Sequence, residues 1–142
     1  MKISGVLRHK GDTVVTIAPT ESVRTLLERL REHGVGALVV STDGRHVEGI
    51  VSERDVVRRL CTDGEQLLNE AVADIMTTDV HTCLPDDHVN DLMVTMTERR
   101  IRHIPVVVDG ELRGIVSIGD VVKHRIDELT EERDHLEAYI RR

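Results

Sequence analysis

Gly49-Ile50-Val51-Ser52-Glu53-Arg54-Asp55 decides the fold, because it returns as Gly114-Ile115-Val116-Ser117-Ile118-Gly119-Asp120. The Gly, the β-branched pair, the Ser and the final Asp coincide, and Val-Val follows both times. A β-branched pair favours a pleated strand. A small polar turn ahead of an apolar helical run marks a helix start. Each copy therefore reads as a strand that runs into a helix, with a hydroxyl and a carboxylate at the strand's C-terminal edge. Crevices at such edges, beside helix N-termini, take nucleotides and other polar ligands.

The repeat extends well beyond these motifs. Thr16 and Thr82, Pro19 and Pro85, Val23 and Val89, Val40 and Val106, and Gly44 and Gly110 all stand 66 residues apart. Gly49 and Gly114, like Asp55 and Asp120, stand 65 apart, so the first hairpin is one residue longer. Such a period has to be found before a fold is assigned.

Each unit reads β-α-β-β-α. In the first, a strand at 14–17 ends at Pro19, and Val23, Leu26, Leu27 and Leu30 form one helical face. Gly34 closes that helix. Residues 37–40 are a continuous apolar strand of the kind buried on both faces. A turn at 42–45, a strand at 47–51 and a helix carrying Val56, Val57 and Leu60 complete the unit. After a connector at 63–69 and a helix at 71–76, the order restarts. A strand at 80–83 ends at Pro85, and Asp86-Asp87 caps a helix carrying Val89, Leu92, Met93 and Met96. A strand at 104–108, an Asp109-Gly110 turn and a strand at 112–116 follow.

At the N-terminus, residues 3–7 predict one or two helical turns and 8–12 a polar loop. The expected fold is therefore mixed α/β (α+β). Units at 6–66 and 71–126 pack about a pseudo-two-fold axis, leaving two related crevices between them. Residues 127–142 extend the last helix, with Val122, Ile126, Leu129, Leu136 and Ile140 on one stripe. That stripe either lies on its own body or docks on a second subunit. The heptads are too few and too broken for a long coiled coil.

Composition narrows the function. The chain has no Trp or Phe and a single Tyr, so its core is aliphatic and a bound base would lie between aliphatic side chains and peptide planes. Binders of single-stranded nucleic acid rely on aromatic stacking, and binders of nucleic acid in general carry a basic footprint. A formal net charge of −7 provides none. Cys61 and Cys83 form no CxxC motif, and no signal peptide or bilayer-spanning run is present, so a cytoplasmic protein with reduced thiols and no membrane partner is expected. The eight histidines show no ligand spacing on one element, which predicts no metal site. There is no nucleophile with an adjacent base, no HExxH and no phosphate loop, and no catalysis is expected.

The two motifs in register, the V-x-T-x-x-P opening strands and His103-Ile104-Pro105 resemble a tandem pair of CBS domains, the cystathionine-β-synthase-type repeats also called a Bateman module. The resemblance covers roughly residues 6–126. It implies a pseudo-symmetric disc, often paired as a homodimer, that binds adenosyl ligands between its repeats: AMP, ADP, ATP, NAD or S-adenosylmethionine. Asp55 and Asp120 match the family carboxylate that accepts hydrogen bonds from a ribose diol, which suits a group with several acceptor sites. Ser52 and Ser117 match a hydroxyl that binds ribose or phosphate; capping the following helix is their alternative role.

On the same resemblance, Ile50 and Ile115 flank the base. Ala37 and Leu38 in the first copy, and His103, Ile104 and Pro105 in the second, match the strand whose backbone meets the adenine edge; Gly36, a further ligand candidate, stands where Arg102 stands in the second copy. Val14, Thr16, Val80 and Thr82 match the strand that closes the base pocket, with ordinary core as the alternative. Val39 stands where Pro105 stands in the second copy, so the two clefts should differ. Arg54, Arg102, His103 and Lys10 are the candidate phosphate groups. The expected function is an adenine-nucleotide-responsive regulatory module acting through a further effector protein. The alternative is a ligand-free dimerisation platform.

Overall fold

In the computed structural model, which describes residues 1–11 and 13–141, the first repeat gives a three-stranded sheet and the second a two-stranded one. Asp12, in the predicted polar loop, and Arg142, at the end of the extension, lie outside the described residues. The elements run α1 (Ile3–Lys10), β1 (Thr16–Ile17), α2 (Val23–His33), β2 (Ala37–Val40), β3 (Gly49–Ser52) and α3 (Glu53–Asp63). A 3₁₀ turn over Gly64–Asn69 and the short α4 (Val72–Ile75) lead to α5 (Val89–Arg99), β4 (His103–Val108), β5 (Glu111–Ser117) and α6 (Ile118–Ile140).

In the first sheet β2 is central, parallel to β1 and antiparallel to β3, and all four of its residues are buried. In the second, β4 pairs antiparallel with β5 through a tight turn at Asp109 and Gly110, both at positive φ (52° and 78°). Two left-handed residues in a two-residue loop match the twist of a hairpin, and Asp-Gly supplies them cheaply. Residues 47 and 48, predicted as strand, instead belong to the longer first loop, which Glu48 closes through its amide on the Val40 carbonyl (2.8 Å).

The predicted opening strand at 80–83 contracts to one residue, Cys83, bridged in parallel to Val106. The cause is Pro105. The Pro105 carbonyl accepts from the Cys83 amide and Val107 donates to the Cys83 carbonyl, both at 3.0 Å. The prolyl nitrogen lies on that same side and has no hydrogen to carry the ladder upstream. Val39, its counterpart, has one, and there β1 pairs over two residues.

Two cores result, and the chain exchanges helices between them. Val72 and Ile75 of α4, which opens the second unit, pack with Ile17, Leu26, Leu38 and Val51 of the first. Ile3 and Val6 of α1, which precede the first repeat, pack with Leu92, Ile104, Val106 and Val116 of the second. The exchange is reciprocal, as a pseudo-two-fold arrangement requires. The α4 end bridges α2 at Ser22–Ala71, and the α1 end bridges α5 at Lys2–His88. Neither repeat therefore completes its core without the helix that stands at the start of the other in sequence.

This exchange explains the motif glycines. A Cβ on Gly49 would lie 2.7 Å from Met76 Sδ and 2.9 Å from the Thr77 carbonyl, just after α4. A Cβ on Gly114 would lie 2.7 Å from Leu7 Cδ2, in α1. In both copies the exchanged segment crosses the sheet where only hydrogen fits.

Three further expectations change. Residues 8–10 are the last turn of α1, not a loop. His88, not Asp86-Asp87, holds the N-cap position of α5; Asp87 turns back to accept the Leu84 amide at 2.8 Å. α6 is one continuous helix, and every described residue beyond Glu128 is exposed, so its stripe does not lie on its own body.

Candidate ligand clefts

Each motif turn is built by the same contacts. The residue after Ser donates its amide to the strand that precedes the hairpin, Glu53 to Gly36 O (3.0 Å) and Ile118 to Arg102 O (2.8 Å). The motif carboxylate then reaches back to the start of its helix. Ser52 donates to Asp55 Oδ2 through its amide (2.8 Å) and its hydroxyl (3.2 Å). The Ser117 amide donates to Asp120 Oδ2 (2.9 Å), and Asp120 returns its amide to Ser117 Oγ (3.2 Å). The helix starts are thus satisfied without a ligand, and one carboxylate oxygen of each Asp does that work.

Beyond this the copies diverge. Asp55 is half-buried at the wall of a cleft of about 160 Å³ between the repeats, and its Oδ1 has no partner among the described residues. Gly36, Ala37, Ile50, Ser52 and Arg54 line the first-repeat side of this cleft, and Val80, Arg102 and His103 the other. Ile50 and Thr77 exchange both amide–carbonyl bonds at 2.9 Å, which fixes the connector across the cleft floor.

Asp120 is paired with Lys10 through the same oxygen that serves its helix start. Lys10 Nζ donates to Asp120 Oδ2 (2.6 Å) and to the Ile115 carbonyl (2.9 Å). Burial raises the Asp120 pKa, but the Lys10 ammonium and the Ser117 groups outweigh it and hold the carboxyl below its ordinary value. Asp120 and Lys10 do line a cavity of about 540 Å³, but it opens between α1 and α6, with His9, Lys123, His124 and Asp127 on its walls. Ile115 and Ser117 are not among its lining residues.

The remaining candidates separate by burial. Leu38 and Ile104 are core side chains, 1% and 2% exposed. Pro105 is buried within β4, opposite Ile115. Thr16 pairs with Val39 and gives its carbonyl to Arg29 (3.2 Å), while Val14 is half-buried and Thr82 exposed; none of the three lines either cavity. His103 lies between the two motifs. Burial lowers its pKa first, Lys10 adds to this, and Glu53 and Asp120 oppose it.

Sequence reading missed Arg58 and Asp79 on the cleft wall, where Arg100 also stands. Arg58 was findable, because it lies one helical turn after Arg54 and shares its face. Arg100 stands at the place of Gly34 and shares its left-handed backbone, φ 54° against 61°. Asp79 lies in the connector, where no pattern marks it.

Known proteins place this architecture. The CBS domain family profile matches residues 11–62 and 72–127. The chain is 38% identical over 146 aligned residues to a mitochondrial CBS domain-containing protein of Arabidopsis thaliana, covering 97% of this chain and 71% of that one. It spans 57% and 33% of the length of two further curated relatives. The crystal structure of a CBS-domain-containing protein from Agrobacterium tumefaciens matches with a TM-score of 0.85 and 40% identity, over 88% of this chain and 99% of that one. A CBS domain protein from Pyrobaculum aerophilum, solved in complex with AMP, matches with a TM-score of 0.75 and 28% identity, over 84% and 89%. With two matched repeats, reciprocally packed, the chain belongs to the CBS domain family.

Proposed function

We propose that this CBS pair is a regulatory module that binds one adenosyl ligand per chain, in the cleft beside Asp55. The carrying observation is the contrast between the motif carboxylates. Both keep an Oδ1 without a partner among the described residues, but only Asp55 lines the cleft between the repeats, whereas Asp120 lines a different cavity and its Oδ2 is paired with Lys10. A ribose diol needs two acceptors, and a carboxylate that already serves a helix start still has lone pairs for both. Ile50 and Val80 would bracket the base, and Ala37 and His103 would close its edge. The AMP complex of the Pyrobaculum relative supports this ligand class.

Ligand would touch both repeats at once, so occupancy would shift their relative packing, and an effector protein would read that change. A homodimer through α6 fits the same scheme, since Val122, Ile126, Leu129, Leu136 and Ile140 are between 44% and 79% exposed. Calorimetric titration with adenosine, AMP, ATP, NAD and S-adenosylmethionine tests the reading. Binding at one site per chain, weakened strongly by Asp55→Asn and little by Asp120→Asn, is expected. No heat with any of these ligands at millimolar concentration would leave the ligand-free platform as the better account.

A further inference from the structure

We infer that two copies of α6 pair antiparallel, so that the free end of each helix docks beside the root of its partner. This rests on the homodimer reading above and fixes the orientation and the contacts of that dimer.

The apolar stripe of α6 faces away from its own body. Asp120, His124 and Asp127 line the cavity against α1. Val122, Ile126 and Leu129 each follow one of these by two residues, which is about 200° round an α-helix. Val122, Ile126, Leu129, Leu136 and Ile140 recur at spacings of four and three, with Arg133 in the one place left between them. These are the a and d positions of a heptad seam. All six are exposed. The ion pair of Arg133 among the described residues is with the neighbouring Asp134, at 3.4 Å, and those side chains are 68% and 60% exposed.

Charge decides which way a second copy lies. In a parallel pair equal positions face each other. Arg133 would then meet the partner's Arg133, and Glu132 the partner's Glu137, like charge against like. In an antiparallel pair a positions face d positions. With Leu129 opposite the partner's Arg133, the whole stripe is used: Val122 packs on the partner's Ile140 and Ile126 on the partner's Leu136, and symmetry repeats each layer. The flanks then complement one another. Lys123 lies beside the partner's Glu137 at both ends, and at the centre Arg133 reaches the partner's Glu132. The polar residue that interrupts the seam thus opposes one orientation and is neutralised in the other. So short a seam is too little for free helices, but α6 is not free. Val121 is fully buried in its own body, so the helix is nucleated before the partner arrives.

The test is sedimentation equilibrium combined with disulfide trapping. Glu137→Lys puts like charges together at both ends and should weaken the dimer at least about threefold. Lys123→Glu should do the same, and the two changes together should restore the wild-type affinity. For trapping, Cys61, which is exposed, is first replaced by Ser. Ile126→Cys with Leu136→Cys should then oxidise to a covalent dimer. Leu136→Cys alone should not, because its symmetry mate lies about 15 Å away along the axis. All these positions on α6 are exposed, so the melting temperature of the monomer should not change. A dimer that Glu137→Lys tightens, that links through Leu136→Cys alone, or that ignores every one of these changes would overturn this inference and leave dimerisation standing. A monomer at every concentration would overturn both.

Discussion

Replacing Lys10 by Met removes one ammonium and keeps most of the aliphatic stem. In the folded chain that ammonium lies 2.6 Å from Asp120 Oδ2 and 2.9 Å from the Ile115 carbonyl. The Lys10 and Asp120 side chains are 34% and 23% exposed, so the pair is neither a surface pair nor a buried one. Fully exposed pairs contribute ~0–1 kcal/mol, and hydrogen bonds to charged groups ~1.5–3 kcal/mol. Partial exposure places this one at about 1–1.5 kcal/mol, or a fall of about 3–5 °C in melting temperature for a chain of this size. Asp120→Asn should cost a similar amount plus part of the helix start, because Ser117 also donates to Oδ2. The assay is urea unfolding of the wild type, both single variants and the double variant, read as a double-mutant cycle. Coupling near 1 kcal/mol, reduced in about 1 M salt, is expected. Coupling below ~0.3 kcal/mol would refute the reading that Lys10 holds Asp120. The same Lys10→Met protein should take up a second adenosyl ligand, since Asp120 is then released.

The motif glycines should not be equivalent. Gly49→Ala meets the Thr77 carbonyl and should cost about 2–3 kcal/mol by chemical denaturation, while Gly114→Ala meets only the end of the Leu7 side chain and should cost less. His103, held neutral by burial, gives a stability that is complete above its ordinary value of 6.5 and falls as pH drops through it, because only the unfolded chain then takes up the proton. His103→Gln should flatten that part of the pH profile. Asp120 acts lower, its contribution being present above 3.8 and lost on further acidification, and Lys10→Met should weaken that loss. Leu129→Glu with Leu136→Glu, at positions 47% and 63% exposed, should leave the fold intact and convert a dimer to a monomer in sedimentation; an unchanged sedimentation coefficient would remove α6 from the interface.

Much of this architecture was legible because duplication doubles every local signal. A single G-I-V-S turn is weak, but two at the same spacing as two prolines and two helical faces fix the order of elements. The exchange of α1 and α4 was not legible. Val6 and Val72 carry no mark of which core they enter, since that depends on contacts across the whole chain. Nor was the shortened opening strand, although its cause, Pro105, was in plain view: the effect of a missing amide depends on which side of β4 it faces. The site was legible in its motif and not in its asymmetry. Lys10 read as a loop cation near a phosphate, because nothing local shows that α1 runs on to residue 10 and delivers the ammonium to Asp120. Arg58 and Arg100 needed the fold to bring α3 and the α5–β4 segment to one cleft.

The most direct measurement is a crystal structure of the protein grown with saturating ATP, and with AMP in a parallel experiment. The account predicts one adenosyl ligand per chain, its ribose on the Asp55 carboxylate, its base beside Ile50 and Val80, and the Lys10–Asp120 pair intact. A ligand seated on Asp120 with Lys10 displaced, while the Asp55 cleft stays empty, would contradict it.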